Sequence, residues 1–166
     1  MVQRFVAGAA PAGIADWKRV VATVAAVHRL TVGWPQRPGF GTATDLLHRD
    51  LAGDVRLDLM PADAAAVVRA AWRPVLTGPT GVVHGDVGGG NILVDDDRVT
   101  LLDWDESRVD VPWFDYAFLP DEVEVPSPVA RCDLVTAGLA WETATCWASE
   151  PQYAARRLAE LRTRAE

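Results

Sequence analysis

The stretch 81–105 reads GVVHGDVGGGNILVDDDRVTLLDWD and decides the fold. Within it, two short runs rich in β-branched and aliphatic residues, 92–94 and 99–102, flank the acidic segment 95–98. Short apolar runs on either side of a polar turn are typical of a β-hairpin. The sequence therefore predicts an antiparallel hairpin, and a further short β-type run at 81–83 precedes it.

The open end of the predicted hairpin brings two polar residues together. Its turn lies near Asp97, and Asn91 and Asp103 are each six residues away from Asp97. We expect these two residues to face one another, roughly 4.5–5.5 Å apart between their Cα atoms. An amide oxygen and a carboxylate are the hard oxygen ligands that Mg²⁺ accepts while it keeps waters and substrate phosphates. The hairpin therefore predicts a magnesium site.

A candidate base precedes the hairpin. Asp86 lies five residues before Asn91, in a loop that contains the three consecutive glycines 88–90. Glycines let the backbone turn tightly and approach a ligand without a side chain in the way. A carboxylate held in such a loop can accept the proton of an attacking hydroxyl group, or can orient that group. We therefore expect a base and two metal ligands to converge.

The rest of the chain has mainly helical patterns, so the predicted fold class is α+β, mainly α with a small β-hairpin. Apolar residues recur at helical spacing after Asp16 and after Pro61, while glycines and prolines mark 31–41 as a loop. We expect a single domain over 1–166. Its predicted parts are a short strand at 2–6, helices at 16–30 and 61–75, short helical or irregular structure at 45–51, the catalytic loop and metal-binding hairpin at 81–119, and C-terminal helices within 127–165 (127–149 and 151–164).

The charge distribution limits the classes of molecule that the protein is expected to bind. The chain has a net charge of −7, and residues 86–124 hold 12 acidic and two basic residues. This balance argues against a nucleic-acid partner. The acidic stretch fits either a solubilising face or a site that holds metal cations and attracts a cationic substrate. No apolar stretch is long enough to cross a membrane and no signal-peptide core is present, so we expect a cytoplasmic protein without a membrane partner.

Three separated elements resemble a known signature. The catalytic and metal-binding signature of aminoglycoside phosphotransferases and choline kinase-like enzymes is similar to three segments of this sequence. They are His84-Gly-Asp86, then Asn91, and after the hairpin Asp103-Trp-Asp105. These enzymes are relatives of the protein kinases. The resemblance implies that Asp86 is the catalytic base and that His84 is a catalytic-loop residue that supports it from behind. It implies that ATP is bound by Gly88, Asn91 and Asp103, and that Mg²⁺ is bound by Asn91, Asp103 and Asp105. Asp115 would accept hydrogen bonds from the loop backbone.

The resemblance also implies that the chain corresponds to the C-terminal lobe of a protein-kinase-like fold. Members of this family carry a β-rich lobe with a phosphate-binding lysine before this region, whereas residues 1–8 match the linker between the lobes and the only lysine is Lys18. We therefore expect the N-terminal β lobe to be absent. The chain would be an ATP- and Mg²⁺-dependent phosphotransferase acting on a small-molecule hydroxyl group. It would be truncated, and impaired or inactive alone, unless a lost upstream segment, a separate chain or a homo-oligomeric neighbour supplies that lobe.

Other interpretations remain open at this stage. A remnant kinase lobe could serve as a binding or interaction module, and the same acids could form a metal-dependent hydrolase. His84 fits a buried structural histidine, and Asp105 fits a structural role near the loop as well as it fits a metal ligand. An acceptor with a cationic group, such as an aminoglycoside or an amino alcohol, is suggested by the acidic stretch alone.

Overall fold

The computed structural model describes residues 6–96 and 98–164. The described chain contains five α-helices and short 3₁₀ turns at Leu57–Leu59, Gly89–Asn91 and Pro112–Tyr116. The helices are α1 (Ile14–Leu30), α2 (Ala43–Leu46), α3 (Ala62–Trp72), α4 (Arg131–Thr145) and α5 (Pro151–Arg164).

Within the described residues the strands form three separate two-stranded antiparallel sheets. The strands are β1 (Leu51–Ala52), β2 (Val55–Arg56), β3 (Gly81–Val83), β4 (Ile92–Asp95), β5 (Arg98–Leu101) and β6 (Arg108–Asp110). β1 pairs with β2, β3 with β6, and β4 with β5. The predicted α+β fold class is confirmed, but the expectation of one small hairpin is wrong, because two further pairs form from runs of only two or three residues.

Helical periodicity explains how the core forms. On α1 the buried residues are Val20, Val21, Val24 and His28, which make one stripe along the helix. α4 packs between α3 and α5, and the rings of Trp72 and Trp141 lie 5.9 Å apart between centroids. The hairpin and the catalytic loop therefore rest on a helical base.

The hairpin itself is confirmed, but its predicted register is wrong by one residue. Asp95 faces Arg98, so the symmetry point lies between residues 96 and 97 and not on Asp97. Asn91 consequently lies opposite Leu102, whose backbone N–H donates to the Asn91 carbonyl oxygen at 2.8 Å. Asp103 comes one residue later, beyond the end of β5.

Several predicted boundaries also shift. α1 begins at Ile14 with Gly13 as its N-cap, because Asp16 accepts a hydrogen bond from the Ala12 backbone instead of capping the helix. Pro61 is the N-cap of α3 and does not occupy its first turn. The predicted strand at 2–6 lies outside the described residues except for Val6, and Asp97 is also outside them.

Among the described residues, no helix combines the length and apolarity that a membrane crossing requires. The described chain contains one large cluster of buried apolar side chains, to which α1, α3, α4 and α5 all contribute.

Candidate functional site

The loop that carries Asp86 leaves the end of β3 through a turn that requires glycine. Gly85 has φ = +92°, a backbone conformation that L side chains rarely adopt. A Cβ atom at this position would lie 2.6 Å from the Glu106 carbonyl oxygen. Backbone geometry and lack of space both demand glycine here, and the turn they allow exposes the next side chain, Asp86.

Asp115 anchors this loop from beneath. Its Oδ2 accepts a hydrogen bond from the His84 backbone N–H at 2.9 Å, and its Oδ1 accepts one from the Gly85 backbone N–H at 2.9 Å. Oδ2 also lies 2.8 Å from Nε2 of His28, and both side chains are buried. The expectation that Asp115 binds the loop backbone is confirmed.

Sequence reasoning missed His28. Its Nδ1 lies 3.3 Å from the hydroxyl oxygen of Tyr116. Burial raises the pKa of Tyr116, and the charge of Asp115 raises it further, so the phenol keeps its proton. A signal was present in the sequence, because His28 follows Val20 and Val24 at intervals of four on the buried stripe of α1.

His84 lies within the fold, only 1% exposed, and both ring nitrogens are engaged. Its Nε2 lies 2.7 Å from the Leu102 carbonyl oxygen, which can only accept, so Nε2 carries the proton. Its Nδ1 accepts from the Asp86 backbone N–H at 3.3 Å. This neutral tautomer joins the loop to the end of the hairpin. In this geometry no ring nitrogen of His84 is left for a substrate, so we assign it a positioning role.

Asn91 holds the Asp86 carboxylate. Its Nδ2 donates to Oδ2 of Asp86 at 2.6 Å and to the Asp86 carbonyl oxygen at 3.3 Å. The backbone between them closes through Gly88, whose N–H donates to the Asp86 carbonyl oxygen and whose own carbonyl accepts from the Asn91 N–H, both at 3.0 Å. Since the amide nitrogen points to Asp86, the amide oxygen of Asn91 is the atom left for a cation.

Asp103 is the other predicted ligand, and its backbone is unusual. Among the described residues it is the only non-glycine residue with a positive φ, +58°. In a continued strand, the side chain of Asp103 would lie on the opposite face from that of Leu102. The positive φ ends this alternation. The carboxylate is exposed, and no hydrogen bond or ion pair engages it among the described residues. Such local strain is typical of functional positions.

The donor set fits Mg²⁺ in kind. Asn91 and Asp103 offer one amide oxygen and one carboxylate, which leaves the remaining positions of an octahedral ion to water and phosphate oxygens. Asp105 is exposed, and its backbone oxygen accepts from Nη2 of Arg37 at 2.7 Å. No group of three or more His, Cys, Asp or Glu side chains in the described parts of the chain is arranged to hold a metal. A metal here would therefore depend on the substrate's own oxygens.

A cavity of about 70 Å³ opens beside Asp86. Glycines 85 and 88 line one side, and α4 closes the other with Trp141 and Glu142. Burial raises the pKa of Glu142 although Arg157 beside it opposes the shift, and the negative charge of Asp86 adds to it. The cavity was not foreseen from the sequence, because tertiary packing alone brings α4 against the loop.

A buried ion pair forms part of the same wall. Nε of Arg108 donates to Oδ2 of Asp110 at 3.1 Å, and both residues lie on β6. Asp110 also accepts from the backbone N–H groups of Ala43 and Val111, at 3.1 and 2.9 Å. Burial raises the pKa of Asp110 against the opposing effect of these partners. Arg108 lines the cavity that contains Asp86.

An exposed carboxylate on a glycine turn, held by an asparagine and followed by a hairpin with a second carboxylate, is the arrangement expected at the catalytic centre of a kinase-type phosphotransferase. The model of the phosphotransferase enzyme family (APH) matches residues 2–146. Because the match spans most of the chain, the protein belongs to this family, and the resemblance found in the sequence is confirmed. No curated protein matches the chain.

Proposed function

We propose that this protein transfers the γ-phosphoryl group of ATP to a hydroxyl group of a small molecule. The observation that carries the proposal is the position of Asp86. Its carboxylate is exposed, held by Asn91 at 2.6 Å, and borders a cavity of about 70 Å³. A base fixed in this way beside a pocket is what phosphoryl transfer to an alcohol requires.

Each residue of the loop has a distinct task in this proposal. Asp86 accepts the proton of the acceptor hydroxyl as the oxygen forms its bond to the γ-phosphorus and the bond to the ADP oxygen breaks. Asn91 keeps the carboxylate turned toward the cavity. Asp115 and His84 hold the loop backbone so that this geometry does not have to be organised during the reaction.

Asn91 and Asp103 are the residues that would hold Mg²⁺. When bound, the ion would neutralise charge on the phosphate oxygens of ATP. Asp105 is a further candidate ligand because it lies exposed two residues beyond Asp103. Gly88 lies between Asp86 and Asn91 in the chain, and because it has no side chain it leaves room for the phosphates.

The nucleotide side of the site is the weaker half. The only lysine among the 166 residues is Lys18, and it lies exposed on α1. Phosphoryl transfer depends on positioning and charge neutralisation, so a chain without a lysine on the phosphates should bind ATP weakly and turn over slowly. We propose that a nucleotide-binding lobe that carries such a lysine would restore the rate.

Titration calorimetry with Mg-ATP tests the proposal. We expect weak but measurable binding, and we expect Asp103→Asn to weaken it at least tenfold. Asp96→Asn is the matched control, because it removes an exposed carboxylate at the turn end of the same hairpin. Asp86→Asn should leave nucleotide binding within about twofold of the wild type. Absence of Mg-ATP binding at millimolar concentration, or equal losses in the Asp103 and Asp96 variants, would refute the nucleotide site.

The lack of nucleotide binding would instead support a non-catalytic binding module. A metal-dependent hydrolase is disfavoured because the described residues contain no cluster of three carboxylate, histidine or cysteine ligands. Hydrolysis of a simple phosphate ester with Mg²⁺ and without nucleotide would revive it.

A further inference from the structure

Arg108 is a buried cation with most of its donors unused. The residue is 3% exposed, and its guanidinium carbon lies 3.5 Å from the ring centroid of Trp141 and 5.0 Å from that of Phe114. Only Nε makes a hydrogen bond, to Asp110. Both terminal nitrogens, Nη1 and Nη2, are buried and have no partner among the described residues.

Neighbouring acids do not account for these free donors. Asp110 accepts from Nε of Arg108 and from the backbone of Ala43 and Val111, but from neither terminal nitrogen of Arg108. Glu142, which borders the same cavity, has Arg157 as its cation, with Nε 2.7 Å from Oε2. Buried donors in native proteins nearly always have a partner, so two free terminal nitrogens on a residue that lines a cavity require an explanation.

The geometry points to an acceptor substrate that carries a carboxylate. We propose that the acceptor is a small hydroxy acid whose carboxylate binds Nη1 and Nη2 of Arg108 while its hydroxyl group meets Asp86. This inference rests on the proposed function, because it takes the cavity beside Asp86 as the acceptor site.

A carboxylate matches this site better than an ammonium group does. A guanidinium presents its terminal nitrogens in a planar fork that a carboxylate fills with two parallel hydrogen bonds. Stacking on Trp141 fixes the fork and removes water from it, which strengthens such bonds. An ammonium group would meet the like charge of Arg108. Oε2 of Glu142 has no hydrogen-bond partner among the described residues, but its charge is already opposed by Arg157, whose Nε lies 2.7 Å away.

The test compares three probes that share a three-carbon chain and one terminal hydroxyl group. 3-Hydroxypropanoate, 1,3-propanediol and 3-aminopropan-1-ol differ only in the group at the other end. Ligand-observed NMR on the 166-residue chain, without ATP or Mg²⁺, gives their dissociation constants. We expect 3-hydroxypropanoate to bind at least about tenfold more tightly than the other two, as a charge-assisted pair implies.

Two comparisons assign the preference to Arg108. Methyl 3-hydroxypropanoate, tested on the wild type, removes the negative charge without any mutation and should lose the same tenfold. Arg108→Met keeps the stem against Trp141 and removes the fork, so it should bind acid and diol equally. Arg162→Gln, an exposed arginine of α5 that pairs with Asp63, should keep the wild-type preference.

The outcomes separate this inference from the proposed function. Tighter binding of the amine or the diol, equal binding of acid and ester, or no binding of any probe overturns the inference whatever ATP does. If Arg108→Met does not fold, the ester comparison decides. Selective binding of the acid without Mg-ATP binding would support the carboxylate site while refuting the phosphotransferase.

Discussion

The anchoring of the catalytic loop by Asp115 leads to a quantitative prediction for Asp115→Asn. The carboxylate accepts three hydrogen bonds, from His28 Nε2 at 2.8 Å and from the backbone N–H groups of His84 and Gly85 at 2.9 Å each. An asparagine has one acceptor oxygen and one donor amide. If the oxygen replaces Oδ2, the amide faces the Gly85 N–H, and if it replaces Oδ1, the amide faces the His84 N–H. One loop amide is left without an acceptor in either rotamer.

The cost follows from these contacts. A buried donor left unsatisfied costs about 1–3 kcal/mol. The bonds that survive lose the assistance of the negative charge, which is roughly 0.5–1 kcal/mol each. With two bonds surviving, the substitution should therefore lower the free energy of unfolding by roughly 2–5 kcal/mol, a large part of the ~5–15 kcal/mol that a domain typically has.

Urea unfolding followed by circular dichroism measures this loss, and amide hydrogen exchange locates it. We expect His84 or Gly85 to lose protection more than amides in α3 do. Asp121→Asn is the control, because its side chain is 90% exposed and lies 3.7 Å from Arg131. This control should change the stability by less than about 0.5 kcal/mol. A loss below about 0.5 kcal/mol for Asp115→Asn, with unchanged exchange at both loop amides, would refute the anchoring argument.

Two further predictions follow from the same region. Gly85→Ala should lower the free energy of unfolding by about 2–4 kcal/mol, because φ is +92° and a Cβ would lie 2.6 Å from the Glu106 oxygen. Gly89→Ala, with open space at its Cβ, should cost less than about 1 kcal/mol in the same urea assay. For Glu142, the raised pKa means that the folded state holds the proton more tightly than the unfolded state does, so this contribution to stability is lost as pH rises above 4.5 toward the folded pKa. The stability of the wild type relative to Glu142→Gln should therefore fall between pH 4 and pH 7 in urea titrations, and a constant or rising difference would contradict the shift.

The sequence was informative where the site is local in the chain. Asp86 and Asn91 lie close together in the sequence, and the glycine turn between them explains their 2.6 Å contact without tertiary information. The one-residue error in register arose because Asp95 pairs with Arg98, so the paired residues are symmetric about a point between two residues and not about a single residue. Asp103 lies beyond the end of β5 at Leu101 and has a positive φ of +58°.

The parts that could not be predicted are those joined through tertiary packing. Arg108 on β6 contacts Trp141 on α4 because both residues line the cavity beside the catalytic loop. No periodicity in the intervening residues predicts this contact. His28 differs, since its place on the apolar stripe of α1 could have identified it as buried and therefore as needing a polar partner.

The buried network of His28, Asp115 and Tyr116 and the buried Arg108 differ in how many of their polar atoms have hydrogen-bond partners. This difference separates residues that support the fold from a residue that can bind a ligand. His28, Asp115 and Tyr116 make contacts with one another and with the loop, and none of their polar atoms is buried without a partner within the described chain. A fully connected network of this kind rigidifies the loop and leaves nothing for a ligand. Arg108 is equally buried but keeps two free nitrogens beside the cavity. Although Arg108 is ion-paired with Asp110, buried donors without partners lower stability, and a carboxylate that arrives with the substrate would satisfy these two.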